Sequence, residues 1–287
     1  MSLLATDLWK SYGAVPALRG VDLALGRGVV ALLGPNGSGK STLLRCLASS
    51  LRPDCGEILW RGQPLWPDPR SLRAALGYLP QELEFPHDMT AAQLLEHLGR
   101  LKGCYDPEES AALLARLGLA EIGARPFAAL SAGQVRLAGI AQALLGDPAL
   151  LLLDEPTRGL DVEERERLFR QLRRLASQGL VLFSTQVIDD VPQVARQVVV
   201  LRGGHVAYAG GAEALRRRAQ GQVHEIHLAS GADVLLSGDC YISRRVEGET
   251  ETRLRVVGSP PAGWPAVEVE PTLEEGYLLL LKGCGRP

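Results

Sequence analysis

The residues best equipped for chemistry stand in one unbroken run, Gly34, Pro35, Asn36, Gly37, Ser38, Gly39, Lys40, Ser41 and Thr42. The run fits the spacing G-x-x-x-x-G-K-[ST]. Its glycines let the backbone curl so that successive N–H groups point inward at phosphate oxygens. A helix starting behind the loop presents its positive end to the same anion. Lys40 adds a mobile charge toward the β- and γ-phosphates, and Ser41 offers a hydroxyl to Mg²⁺. A second group follows the apolar run that ends at Leu153, where Asp154 and Glu155 stand side by side. An acid at the carboxyl end of a buried strand lies where open parallel sheets bind ligands, so Asp154 suits Mg²⁺. Glu155 faces the other way and can polarise a water against the γ-phosphate. Alone, such acids form only a solvated turn; beside a phosphate loop they gain a task. A third group, Leu130 to Gln134, contains Ser131-x-x-Gln134, a capping box that starts a helix. A helix N-terminus carrying Ser and Gly is also a phosphate-binding device.

These residues need a scaffold of strands and helices. Val29 to Leu33 is a continuous apolar run flanked by glycine, a buried strand leading into the phosphate loop, with a helix from about Ser41 to Ser49 behind it. The residues before it alternate as short strands, and Glu57–Trp60 and Leu76–Leu79 add further ones. From about 82 to 145 the chain is mostly helical. Thr90 can cap a helix bearing Leu94, Leu95, Leu98 and Leu101, and Asp106 with Pro107 starts another. Leu150–Leu153, the charged helix Val162–Ala176, Leu180–Ser184 and Val198–Leu201 give a strand–helix rhythm that implies a parallel sheet. After about Gly221, short β-rich segments broken by Gly, Pro and Ser predict a small separate domain. Its helix is capped by Thr272-x-x-Glu275, with apolar positions Leu273, Tyr277, Leu280 and Leu281.

Composition narrows the function. A net charge of -2 with 22% charged residues gives no basic field to recruit nucleic acid. Only four of the 31 basic residues are lysine, and Lys40 is one of them. Five scattered cysteines, Cys46, Cys55, Cys104, Cys240 and Cys284, contain no CxxC pair. That argues against a disulfide framework or zinc site and suits a reducing cytosol. The apolar runs are too short to cross a bilayer.

The order of phosphate loop, glutamine loop, Leu130–Gln134 turn and acidic strand resembles the ATP-binding cassette family, from the start of the chain to about residue 210. The resemblance implies an α/β fold. Its parts are a P-loop NTPase (RecA-like) core with an antiparallel β subdomain, a helical signature subdomain at about 82–145 and a small C-terminal α+β domain. The ATPase domain would cover 1–220 and the accessory domain 221–287. It implies ATP and Mg²⁺ as ligands, with Ser41, Gln81 and Asp154 at the metal. Tyr12 would stack on adenine, and Gln81 would also sense a membrane partner. Ser131, Ala132, Gly133 and Gln134 would close over the ATP of a second cassette, and Asp161 would cross the dimer interface while also capping a helix with Glu164. Ala132 replaces a usual glycine, a mild change unless that position needs φ > 0. The implied partners are an integral-membrane permease and a second ATPase chain, in a homodimer or heterodimer. The implied place is the cytoplasm, at the inner face of the membrane through the permease.

One departure stands out. The family's histidine after the strand that follows the dimer-loop helix is Gln186 here, in Ser184-Thr185-Gln186. Glutamine donates a hydrogen bond but carries no positive charge. Lys40, Glu155 and Gln186 are thus the expected catalytic set, with slower hydrolysis than in relatives. The alternative is a slow regulatory ATPase or a degenerate partner in a heterodimer. The segment Pro271–Leu278 resembles a C-terminal motif of bacterial exporters with separate permease chains, which tilts the expectation toward export.

Overall fold

The computed structural model describes residues 2–229, 240–260 and 264–282; Cys284 lies outside them. The chain divides into two compact units, Met1–Ala209 and Gly210–Pro287.

The first unit opens with β1 (Leu3–Tyr12) and β2 (Val15–Leu25), two long antiparallel strands rather than several short ones. Then come β3 (Gly28–Leu33), α1 (Lys40–Leu47), β4 (Cys55–Trp60), β5 (Gln63–Pro64), α2 (Arg70–Ala75) and β6 (Leu76–Leu79). The stretch 82–145 holds α3 (Ala91–Lys102), α4 (Pro107–Arg116) and α5 (Ala132–Leu144). Residues 82–90 carry no helix, and α3 starts where Thr90, its expected cap, forms a reciprocal capping box with Gln93. Its buried face is Ala91, Leu94, Leu95 and Gly99, whereas Leu101 is 71% exposed. Asp106 caps α4 with Pro107 at its first position, as its sequence predicts. The unit continues through β7 (Leu150–Leu153), α6 (Val162–Ala176), β8 (Leu180–Ser184), α7 (Val191–Val194), β9 (Gln197–Arg202) and most of β10 (His205–Gly211), whose last two residues already belong to the second unit.

Two sheets result. One is antiparallel in the order β2-β1-β4-β5, and the other runs β10-β9-β3-β8-β7-β6. In the second, β3 pairs in parallel with β8 and β9, and β7 pairs in parallel with β6 and β8. Every residue of β7 and β8 is buried. A continuous apolar run is what a strand covered on both faces requires. Helix α6 covers this sheet through Leu168, Phe169, Leu172 and Leu175, the apolar stripe of an otherwise charged helix.

The second unit has α8 (Ala212–Arg217), β11 (Val223–Ala229), β12 (Tyr241–Glu247), β13 (Glu251–Val257), β14 (Ala266–Glu268) and α9 (Leu273–Lys282). Its sheet is ordered β12-β13-β11-β14, with antiparallel pairs. Thr272 and Glu275 cap α9 reciprocally, through Thr272 N–H to Glu275 Oε2 at 2.7 Å and Glu275 N–H to Thr272 Oγ1 at 3.3 Å. The inward face of α9 is Leu273, Gly276, Tyr277 and Leu279, while Leu280 and Leu281 are only half-buried.

Candidate functional site

The parallel register explains why residues far apart in sequence meet. β8 lies between β3 and β7, pairing Leu32 with Ser184 and Phe183 with Leu153. The carboxyl ends of the three strands therefore finish almost level. They deliver the phosphate loop, Asp154–Glu155 and Ser184–Gln186 to one edge of the sheet, where α/β folds bind ligands.

A cleft of about 920 Å³ opens there, lined by residues 36–42 of the phosphate loop together with Tyr12, Gln81, Glu155 and Gln186. Gly39, at φ +103, leads the loop into α1, and a Cβ there would stand 2.5 Å from the Ala17 carbonyl oxygen. No other residue type fits that turn. The Lys40 ammonium is buried and donates to Gly34 O at 2.7 Å and Pro35 O at 3.1 Å. Burial pulls its pKa below the ordinary lysine value, opposed by the carboxylates of Glu155 and Asp154. A desolvated cation facing an open cleft is poised to gain from an incoming anion.

Asp154 is 1% exposed and accepts a 2.6 Å hydrogen bond from Ser184 Oγ on Oδ1. Ser184 Oγ in turn accepts from Glu155 N–H at 2.8 Å. Glu155 takes the left-handed conformation, φ 49, uncommon for a residue with a side chain. That conformation turns the chain sharply at the strand end. Gln186 Nε2 donates to Glu155 Oε1 at 2.5 Å. Ser41 Oγ donates to Gln81 Oε1 at 3.4 Å. Tyr12, at the end of β1, is 47% exposed on the cleft wall, an aromatic face turned outward rather than into the core.

Of the three residues expected at a divalent cation, Ser41 and Gln81 line the cleft and Asp154 is buried off its wall; they offer a hydroxyl, an amide oxygen and a carboxylate. All are hard oxygen ligands, and Mg²⁺ characteristically takes one or two carboxylates and completes its shell from phosphates and water. Among the described residues no cluster of three or more His, Cys, Asp or Glu could hold a metal by itself.

The other expected residues lie elsewhere. Gly34, Pro35 and Asp154 are not on the cleft wall, and neither are Ser131, Ala132, Gly133, Gln134 and Asp161. Ser131 caps α5 in a box with Gln134, and Asp161 caps α6 in a box with Glu164. Ala132 begins α5 and is not at positive φ, so the alanine is accommodated without strain. Gly133 is more constrained: a Cβ there would meet the Gly159 carbonyl oxygen at 2.9 Å and Glu164 Oε2 at 3.4 Å. Ser131 and Ala132 are exposed.

Several participants carried no signal in the sequence. Arg158 and Arg165 line the cleft, and Arg165 Nη1 reaches Asp190 Oδ1 at 3.1 Å. Burial raises the Asp190 carboxyl above its ordinary pKa, and the Thr157 and Arg165 hydrogen bonds hold it back. Arg136, buried on α5, bonds to backbone carbonyls on both sides of the site. None of the three arginines sits within the motifs read from the sequence.

Comparison with known proteins fits this geometry. The ABC transporter family model matches residues 18–158. An uncharacterized ABC transporter ATP-binding protein, YxlF of Bacillus subtilis, is 35% identical over 241 residues, 83% of this chain and 80% of its own. The Nod factor export ATP-binding protein I of a Rhizobium species is 31% identical over 297 residues, covering 98% of each chain. A solved ATP-binding subunit of an ABC transporter superposes with a TM-score of 0.69 at 27% identity, covering 76% of this chain and 93% of that one.

Proposed function

Because the chain belongs to the ABC transporter family and is an ATP-binding subunit with ABC-type ATPase activity, we propose that it powers export by closing head-to-tail on a second cassette around two ATP molecules. The observation that carries this reading is the separation of Ser131–Gln134 from the chain's own cleft. Those residues offer an exposed serine at a helix N-terminus, which suits an anion, yet they lie off the wall that holds the phosphate loop. A second copy supplies the missing half.

In each site Tyr12 stacks on adenine, residues 34–42 wrap the phosphates, and Lys40 meets the β- and γ-phosphates. Ser41, Gln81 and Asp154 would hold Mg²⁺, which would neutralise charge on the β- and γ-oxygens. Glu155 orients a water at the γ-phosphate while Gln186 fixes the carboxylate by donating to Oε1. Asp161 and the residues before it face the partner. No helix among the described residues is long and apolar enough to cross a membrane. In this reading the membrane part is a separate permease, touched through the Gln81 loop and the helices after it, and the chain works at the cytoplasmic face. Export rests on the Nod factor export relative matching over nearly its whole length. The accessory domain at the C-terminus is an appendage of this ATPase domain.

The test is the Glu155→Gln variant in saturating ATP and magnesium, sized by light scattering. The reading expects a stable dimer that dissociates when ATP is removed and that fails to form with Lys40→Ala. A Glu155→Gln chain that stays monomeric overturns it.

A further inference from the structure

The guanidinium of Arg136 is the most deeply committed cation near the site. It is 7% exposed, on the second turn of α5. Nη1 donates to Gln81 O at 2.7 Å, and Nη2 donates to Asp154 O at 2.5 Å and Glu155 O at 2.6 Å. A longer contact runs from Nη1 to Pro80 O at 3.4 Å. Every partner is a backbone carbonyl. Burial lowers its pKa, and the nearby carboxylates of Asp154 and Glu155 raise it. A buried arginine without a carboxylate in contact is costly, so helix stability alone is a poor reason for it. The planar fork, however, suits one task well: holding carbonyls from two different loops at once.

Those loops are the functional ones. Glu155 sits at φ 49, and its backbone is held on both sides, the N–H by Ser184 Oγ and the C=O by Arg136. That backbone conformation sets where its side chain leaves the chain, and the Gln186 bond holds the carboxylate at its far end. The same guanidinium grips the carbonyl of Gln81. A second strap, Gln142 Nε2 to Tyr78 O at 2.8 Å, docks α5 on β6 without touching Glu155.

We propose that Arg136 is a positioning residue for hydrolysis, locking the Gln81 loop and the Glu155 peptide into one unit so that the carboxylate points at the γ-phosphate only when that loop is seated. This rests on the assignment of Glu155 as the water-orienting group. Arg136 is not on the cleft wall; its effect passes through the backbone of Glu155.

The experiment compares Arg136→Lys, Arg136→Gln, Gln142→Ala and Glu155→Gln in the full chain. It reads single-turnover ATP hydrolysis, the affinity for a fluorescent ATP analogue, and thermal melting. An ammonium cannot span both loops, so Arg136→Lys is expected to lower the hydrolysis rate about tenfold or more. Nucleotide affinity is expected to stay within about threefold, since the phosphate loop is untouched. Gln142→Ala, which removes only the docking strap, is expected to lower the melting temperature and keep the rate. Should Arg136→Gln fail to fold, Arg136→Lys decides. A wild-type rate in Arg136→Lys overturns the proposal, as does a parallel loss of rate and affinity that Gln142→Ala reproduces. Wild-type hydrolysis in Glu155→Gln would instead remove the assignment of Glu155, and the two failures are thereby told apart.

Discussion

Replacing Gln186 by alanine removes a single contact from the reacting region, the 2.5 Å donation from Nε2 to Glu155 Oε1. A hydrogen bond to a charged group contributes roughly 1.5–3 kcal/mol. Gln186 is exposed, so water competes for the same carboxylate and about half of that survives. Roughly 0.8–1.5 kcal/mol of lost orientation in the transition state corresponds to a fall of about four- to twelvefold in single-turnover rate. ATP affinity should hold, because Gln186 is not part of the phosphate loop. Gln186→His tests the other half of the reasoning. An imidazole can donate to the same oxygen and also carry charge, so hydrolysis should rise and gain a dependence on pH around the ordinary histidine range of about 6.5. Rapid-quench measurement of one turnover across pH 5.5–8.5 reads both. An alanine variant within about twofold of wild type would refute the positioning role, and a histidine variant no faster than wild type would refute the claim that missing charge slows this enzyme.

Gly133→Ala should impair ATP-driven dimerisation more than it impairs ATP binding, since its Cβ would press on the Gly159 carbonyl oxygen and shift the loop before Asp161; light scattering with nucleotide titration separates the two. Tyr12→Ala should weaken ATP binding by about 1–3 kcal/mol, the usual worth of a base–aromatic stack, with little change in the maximal rate. In the second unit Glu275 is 2% exposed and accepts from Arg255 Nε at 2.9 Å. Burial alone would raise its pKa, but Arg255, the Thr272 N–H and Ser243 outweigh it and hold the carboxyl below the ordinary range. Its stabilisation is therefore complete above the unfolded value of about 4.3 and is lost as pH falls through the lower folded value. Glu275→Ala, which leaves the half-buried Arg255 with only the Glu270 carbonyl, should cost about 1–3 kcal/mol of the second unit's stability at neutral pH, read by thermal melting, with less further loss in acid than wild type.

Where chemistry lies in consecutive residues, the sequence is nearly sufficient. The phosphate loop, the acids ending β7 and the capping boxes at Thr90, Ser131, Asp161 and Thr272 are local devices, readable from residue type and spacing. Facing is less readable. Four successive leucines, Leu278 to Leu281, satisfy any helical stripe, and only packing decides that Leu279 is buried while Leu280 and Leu281 are half-exposed. Leu101 fits the periodicity of α3 and still points to solvent, because α3 packs through Ala91, Leu94, Leu95 and Gly99. Arg136 is the extreme case. On a helix an arginine reads as a surface group, and its partners come from loops 55 and 18 residues away in the chain. The Gln186–Glu155 contact likewise spans 31 residues and depends on the order of β7 and β8 in the sheet.

The capping and phosphate-binding readings of the Ser131 turn do not compete, because they use different parts of the same groups. A serine hydroxyl has one proton to give and two lone pairs. Ser131 Oγ spends one lone pair on the Gln134 N–H, at 3.2 Å, and its proton remains able to reach a phosphate oxygen of a facing chain. Ala132, as the first residue of α5, contributes an N–H from the set that no helix satisfies internally, and a methyl group leaves that N–H where it was. Gly133 answers to packing instead, through the Gly159 carbonyl beside it. The two small positions of the motif thus obey separate rules. The first stands at helical φ with its N–H free of the helix's own bonds, a place alanine fills without strain. The second needs the absence of a side chain, which ties the start of α5 to the loop that leads into α6.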